Sequence, residues 1–224
     1  MLAVTQCAEE KSNDINANFS DMRLHSYIIE HDMGFAPNPF HGLCTLATCK
    51  PKIRKYTAKG EYILGTGSKK RGQQGRVAYV MKVGKIITFD EYWLDIRFSR
   101  KKARMNGSLS QCYGDNIYHT DSTGKWIQED SFHSREFGVL NEENLKRDTG
   151  STQNVLIADW FVYWGAEGPK VPPDFAHFVH KTQGHHTIRV QSEIEAFIDW
   201  INSVGDVGLS GDPLEWRYLK DGGI

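Results

Sequence analysis

Apolar residues along this 224-residue chain fall in short alternating or continuous blocks, with a single stretch of helical period near the end. The β-like alternation of RLHSYIIE, residues 23–30, predicts a first strand. The stretch GEYILGTGSKKRGQQGRVAYVMKVGKIITF, residues 60–89, predicts two strands around a Gly- and Lys-rich turn. The second of them is long and passes Gly84, a natural bulge or bend. DEYWLDIRF, starting at Asp90, predicts one helical turn followed by a basic loop, and CYGDNIYHTDSTGKWIQED, residues 112–130, a hairpin with Ser-Thr-Gly at its tip. NVLIADWFVYWG, residues 154–165, predicts one apolar strand and TIRV, residues 187–190, a short one. The clearest helix is SEIEAFIDWINSVG, residues 192–205. Ser192 and Glu195 stand in capping-box order, Ile194, Phe197, Ile198 and Ile201 share a face, and Gly205 ends it. The Gly-rich tail beyond Gly205 predicts coil. These elements describe an α+β fold: a mixed or antiparallel sheet or barrel with a few short helices and one C-terminal amphipathic helix.

The segment HDMGFAPNPFHGLCTLATCKPKIR, residues 31–54, breaks this pattern. Its prolines exclude a regular strand or a long helix. Pro37 and Pro39 stiffen the chain around Asn38, so Phe35 and Phe40 are presented from a rigid frame. Aromatic faces beside an amide suit a nucleobase, which needs stacking and edge recognition together. A loop pinned against the core by its own aromatics gives the same sequence. Cys44 and Cys49 are spaced more widely than a zinc knuckle. Cys44 as a nucleophile would need His31 or His41 as its base and cations such as Lys50 and Arg54 nearby. As a small buried hydrophobe it needs neither.

Composition narrows the classes. With 39% apolar and 25% charged residues, the chain reads as a soluble protein with one core. No apolar run reaches the roughly 18 residues of a membrane span, and the start carries no secretory pattern. Residues 1–21 are polar and predict a disordered extension, Met22 being an alternative start, and residues 22–224 a single domain. Four cysteines form no dense disulfide framework, which favours a cytoplasmic location with reduced thiols. The formal net charge of −1 conceals an asymmetry: between Lys50 and Arg104 stand sixteen Lys or Arg and four acids. Such a block fits an anionic partner, phosphate or nucleic acid, and equally a solvated surface.

Further candidate chemistry is scattered. GTGSKKRGQQG is glycine-rich and basic but lacks the order of a phosphate-binding P-loop. Asp115, His119 and His133 lie in neighbouring hairpin segments and suit acid–base chemistry or metal ligation, although isolated histidines more often make one structural hydrogen bond. Asp95 and Arg97 read as a structural ion pair.

Taken in order, the segment 31–54, GEYILGTGS, FDEYWLDIRF, GDNIYH, SFHS and VLIADWFVYWG resemble the second of the nucleotide-modification-associated domain families, over roughly residues 23–170. These are bacterial and phage proteins encoded near enzymes that modify bases. The resemblance implies a role in nucleotide or nucleic-acid modification and names no reaction, cofactor or metal. Its pattern falls on Asp32, Gly34, Pro37, Asn38, Pro39, Cys44, Lys50, Pro51 and Arg54. It continues on Tyr92, Trp93, Asp95, Asp115, Asn116, Tyr118, His119, His133 and Ser134. The strand layout is also similar to the PUA and EVE class of small barrels that hold modified bases.

Two functions follow as expectations. In the first, the chain recognises a modified nucleotide or base, free or in nucleic acid. Phe35, Phe40, Tyr92 or Trp93 would stack, Asn38 and Asp95 would read polar edges, and Lys50 and Arg54 would hold phosphate. Asp32, Tyr118 and Ser134 complete that ligand-binding set. In the second it is an enzyme on nucleotides, using His119 and His133 with Asp115, and Cys44 as nucleophile. Other base-modification proteins are expected partners, and a membrane is not.

Overall fold

The computed structural model describes residues 22–182 and 184–220, so the extension expected over residues 1–21 lies outside the described residues. Along the chain run β1 (Leu24–Ile29), β2 (Cys44–Leu46), α1 (Pro51–Tyr56), β3 (Tyr62–Gly67), β4 (Val77–Lys82), β5 (Lys85–Thr88), α2 (Phe89–Leu94) and α3 (Leu109–Cys112). There follow β6 (Tyr118–Thr120), β7 (Trp126–Gln128), α4 (Glu142–Thr149), β8 (Asn154–Ala158), β9 (Trp160–Tyr163), β10 (His185–Ile188), α5 (Gln191–Val204), β11 (Gly208–Leu209) and α6 (Trp216–Lys220).

Three sheets form. The largest has the strand order β10-β1-β3-β4-β9-β11, and β2-β8-β5 and β6-β7 make the other two. The large sheet is mixed: β1 pairs with β3 and β11 with β9 in parallel, and its other pairs are antiparallel. None of the sheets closes into a barrel among the described residues, so the fold is α+β as expected, in its open form.

Two runs expected to be single strands are each broken in two. The chain leaves the large sheet after β4, bends at Gly84 and enters the second sheet as β5; β8 and β9 make the reverse passage at Asp159. The breaks sit against each other. Gly84 N donates to Ile157 O (2.9 Å), and a Cβ on Gly84 would come within 3.3 Å of Asp159 Oδ1. β4, β8 and β9 are largely buried and β5 buries Ile87, so the apolar pattern continues through the corner.

Helix α5 covers one face of the large sheet, packing Ile194, Phe197, Ile198 and Ile201 against Leu24, Leu64, Val80 and Val162. The expected capping box is absent. The helix starts at Gln191 after an uncapping Val190, and Glu195 instead accepts from the Gln191 side chain (2.6 Å), one turn back. On the opposite face, Tyr27, Ile63, Tyr79 and Met81 meet Cys44, Leu46 and Leu156 of the second sheet. Strand β1 is therefore covered on both sides, and its expected alternation is one of direction rather than exposure.

The tail is more ordered than the predicted coil. Trp216 stacks on Phe40 (ring centroids 5.1 Å apart) and donates from Nε1 to Met33 O (3.0 Å), while Glu215 N donates to Asp32 O (3.0 Å). The C-terminal segment thus clasps residues 32–40. Helix α4 was not anticipated: Leu145 is its single large apolar residue, and it is held by its Asn141 cap and by buried Asp148.

A cationic cleft beside the 31–54 segment

One concave site of about 690 Å³ opens where β1, the β3–β4 turn, the turn before α1 and helix α4 meet. Its charges come from Lys50, Lys69, Lys70, Arg147 and Lys181, against one carboxylate, Glu30. Lys69 and Lys70 belong to a 3-10 turn that closes the β3–β4 hairpin, and Lys70 is held to Glu30 (2.6 Å). Lys50 lies with Nζ 4.5 Å from the Tyr27 ring centroid, and burial pushes its ammonium below the usual lysine range. Phe35 and Phe132 supply aromatic surface, their ring centroids 5.5 Å apart. Ser68 also lines the cleft; its hydroxyl is buried and has no hydrogen-bond partner among the described residues.

At one side of the cleft sit Cys49 and His133. Cys49 Sγ lies 3.7 Å from His133 Nε2, and His133 Nδ1 lies 2.8 Å from Asp148 Oδ2. The pairing of Nδ1 with the carboxylate makes it the protonated nitrogen, which turns the Nε2 lone pair toward sulfur. Asp148 is fully buried. It also accepts from Cys49 N (2.9 Å), Tyr118 OH (3.0 Å) and Arg147 Nε (3.0 Å). Burial acts to raise its carboxyl, but the hydrogen bonds and charges of His133 and Arg147 outweigh that and hold it at about 2. Arg147 Nη2 is 3.2 Å from each ring nitrogen of His133, a position over the ring face rather than along either lone pair. Burial pushes the Cys49 thiol up.

The backbone here is constrained. Cys49 and Lys50 both adopt left-handed φ values, 54° and 41°, which are uncommon for side-chain-bearing residues. Arg54 fixes the bend from inside: its guanidinium donates to Cys49 O (2.9 Å), Asn154 O (2.8 Å) and Asp148 O. Pro51, the first residue of α1, requires no amide partner and starts the helix directly after the bend.

The predicted site residues do not share one place. Phe35, Lys50 and His133 line the cleft, with Tyr118 behind His133 through Asp148. Arg54 is fully buried, and each of its three guanidinium nitrogens donates to a backbone carbonyl.

A second buried cluster gathers Asn38, Tyr92 and Asp115 around Lys101. Lys101 Nζ donates to Asn38 O (2.8 Å), Asn38 Oδ1 (2.7 Å) and Leu43 O (2.7 Å), while Asp115 accepts from Thr45 Oγ1 (2.6 Å) and Tyr92 OH (2.8 Å). Cys44 lies fully buried next to them, its thiol pushed well up by burial. Phe40 is under Trp216, and Asp32 is bonded to Tyr163 OH (2.5 Å), with burial raising its carboxyl to about 6.

The remaining residues lie away from the cleft. Trp93 stacks on His119 at 4.2 Å, and His119 pairs with Glu129 (2.8 Å). Asp95 binds Arg97, whose hydrogen bonds hold it at about 2. Ser134 closes the 131–134 turn on Ser131 O (2.9 Å). His119, His133 and Asp115 therefore do not converge, and of the three only His133 reaches the cleft. Sequence reasoning passed over Cys49 as the paired residue, Asp148 and Arg147. The nearest signal was the C-x4-C spacing, which concerned metal binding rather than the second cysteine alone. Among the described residues no group of three or more His, Cys, Asp or Glu could hold a metal ion.

The family model of nucleotide modification associated domain 2 matches residues 21–220. The chain belongs to this family. The match extends the resemblance read from residues 23–170 through α5 and the clasping tail, and connects the protein to nucleotide modification. No curated protein and no solved structure matches the chain, and the PUA-like similarity gains no support. No helix among the described residues is long and apolar enough to cross a membrane.

Proposed function

We propose that the cleft binds a nucleotide, free or within a single strand, as part of a base-modification system. The observation that carries this reading is five cations and one carboxylate around a cavity with aromatic walls. Its volume falls within the roughly 300–1,000 Å³ of small-molecule sites. Phosphate would sit among Lys50, Lys69, Lys70 and Arg147, since charge-assisted hydrogen bonds to phosphate are the strong ones. A base would pack against Phe35 and Phe132. This set replaces Asn38, Phe40, Arg54, Tyr92, Trp93 and Asp95 as the proposed contacts.

Titration of the full chain with AMP and with a short single-stranded oligonucleotide, at several salt concentrations, tests it. Binding should weaken steeply with salt, and Lys50→Glu should lower affinity about tenfold or more, the weight of one charged hydrogen bond. Undetectable binding at low salt, or binding indifferent to Lys50→Glu, contradicts the proposal.

A further inference from the structure

The geometry points to a nucleophilic function for Cys49, with His133 as its base and Asp148 as the residue that orients the base, acting on an acyl group carried by a nucleotide. The substrate class rests on the nucleotide reading of the cleft; the nucleophile rests on three independent features. Sulfur, imidazole and carboxylate stand in line at 3.7 and 2.8 Å, and both Cys49 and His133 face the cleft. The carboxylate is buried and the imidazole is held edge-on by Phe35 (centroids 4.5 Å apart), so the base has one orientation. Cys49 itself is held in a left-handed bend by Arg54 and Asp148, the kind of strain that clusters at reactive positions. A cysteine that merely filled space would need neither the bend nor the aligned imidazole.

The raised thiol means that sulfur is protonated at rest and needs a base at the moment of attack. One imidazole that removes a proton and then returns it to a leaving group matches acyl substitution. The Cys49 thiol gives its proton to His133 Nε2 as sulfur forms a bond to the acyl carbon, whose carbonyl π pair moves onto oxygen. That pair returns, the bond from the acyl carbon to the leaving nitrogen or oxygen breaks, and the leaving group takes the proton from His133. Water, deprotonated by His133, then adds to the thioester carbon. Carbon–sulfur cleavage releases the acid, and Cys49 recovers its proton. The net reaction is hydrolysis of an ester or amide, with water as the second reactant. Lys50 and Arg147 line the same cleft and supply positive charge toward the transient oxyanion.

The test uses the full chain, p-nitrophenyl acetate as acyl probe, and peptide mass spectrometry to locate the acetyl group. Cys49 should be acetylated faster than Cys112, a half-buried thiol without an imidazole partner. Cys112→Ser should leave the rate unchanged. His133→Gln should slow acetylation by on the order of 100-fold, the usual contribution of a general base. Asp148→Asn should slow it comparably and move the nitrogen NMR signals of His133 to the other tautomer, which a purely structural role would not do.

Faster labelling of Cys112 than of Cys49 in the wild-type protein overturns the proposal without recourse to any variant, as does an unchanged rate in folded His133→Gln. AMP in the same reaction separates the two readings. Acetylation of Cys49 that AMP does not slow overturns the nucleotide part alone. AMP binding without acetylation of Cys49 overturns the nucleophile and leaves the cleft reading standing.

Discussion

Two buried ionic clusters, one around Lys101 and one around Asp148, differ in what they leave unspent. Around Lys101 every proton of the ammonium is donated to a fixed oxygen, and the side chain is 2% exposed. Around Asp148 the carboxylate is equally buried, yet the groups bonded to it include an imidazole and a guanidinium that also face the cleft, and the Arg147 side chain is 43% exposed. Asp115, Asn38 and Tyr92 were as attractive in the sequence as His133. The comparison shows that burial and charge mark a structural hub as readily as a site. Bonding capacity kept open toward a cavity separates the two.

The sharpest way to break this contrast is to remove each hub. Lys101→Met strands three acceptors and leaves Asp115 without its nearby cation, so a loss of about 3–5 kcal/mol is expected in urea denaturation. A tolerated Lys101→Met with weakened AMP binding would reverse the two roles. Arg54→Met should cost about 3 kcal/mol by the same argument, and should raise the mobility of the Cys49 bend in hydrogen exchange. A change confined to ligand affinity would show Arg54 to be a phosphate ligand after all.

Acid provides a graded version of the same comparison. Asp148 is held at about 2 against an ordinary value of 3.8. It therefore binds its proton less readily folded than unfolded, and the stability it contributes is present above pH 3.8 and lost as pH falls through 2. At neutral pH that contribution is about 2 kcal/mol. The stability gap between wild type and Asp148→Asn should be close to this value at pH 7 and should shrink in denaturation curves taken below pH 4. Asp32 has the opposite sign: a folded value raised to about 6 makes its contribution fade as pH climbs through 6. The smallest effect is expected at the outer surface. His119→Ala removes a stack on Trp93 and a pair with Glu129, both remote from the cleft, and AMP affinity should not move.

Much of the sheet was legible because β-alternation and turn residues are local. The hairpins at 60–89 and 112–130 and the buried face of α5 follow from neighbouring residues alone. The sheet-switching corners were not legible, because Gly84 and Asp159 acquire their meaning from each other across the fold. The same limit governs the site. His133 stood out in a compact motif, but its carboxylate comes from Asp148, in a polar helix without an apolar face, and Asp148 meets Cys49 across 99 positions of sequence. Arg54 shows the complementary failure. Sequence gives a charge its sign but not its depth, and a guanidinium beside Lys50 and Lys52 looks like surface until its three carbonyl partners are seen. Phe40 likewise depends on Trp216, from the tail that composition marked as coil.

A crystal structure of the full chain soaked with AMP would show whether the cleft holds a nucleotide. Phosphate density is expected within hydrogen-bonding distance of Lys50 or Arg147 and the base against Phe35 and Phe132, with Cys49 Sγ open to the same cleft. Ordered nucleotide at the Trp93–His119 surface, with the cleft unoccupied, would contradict it.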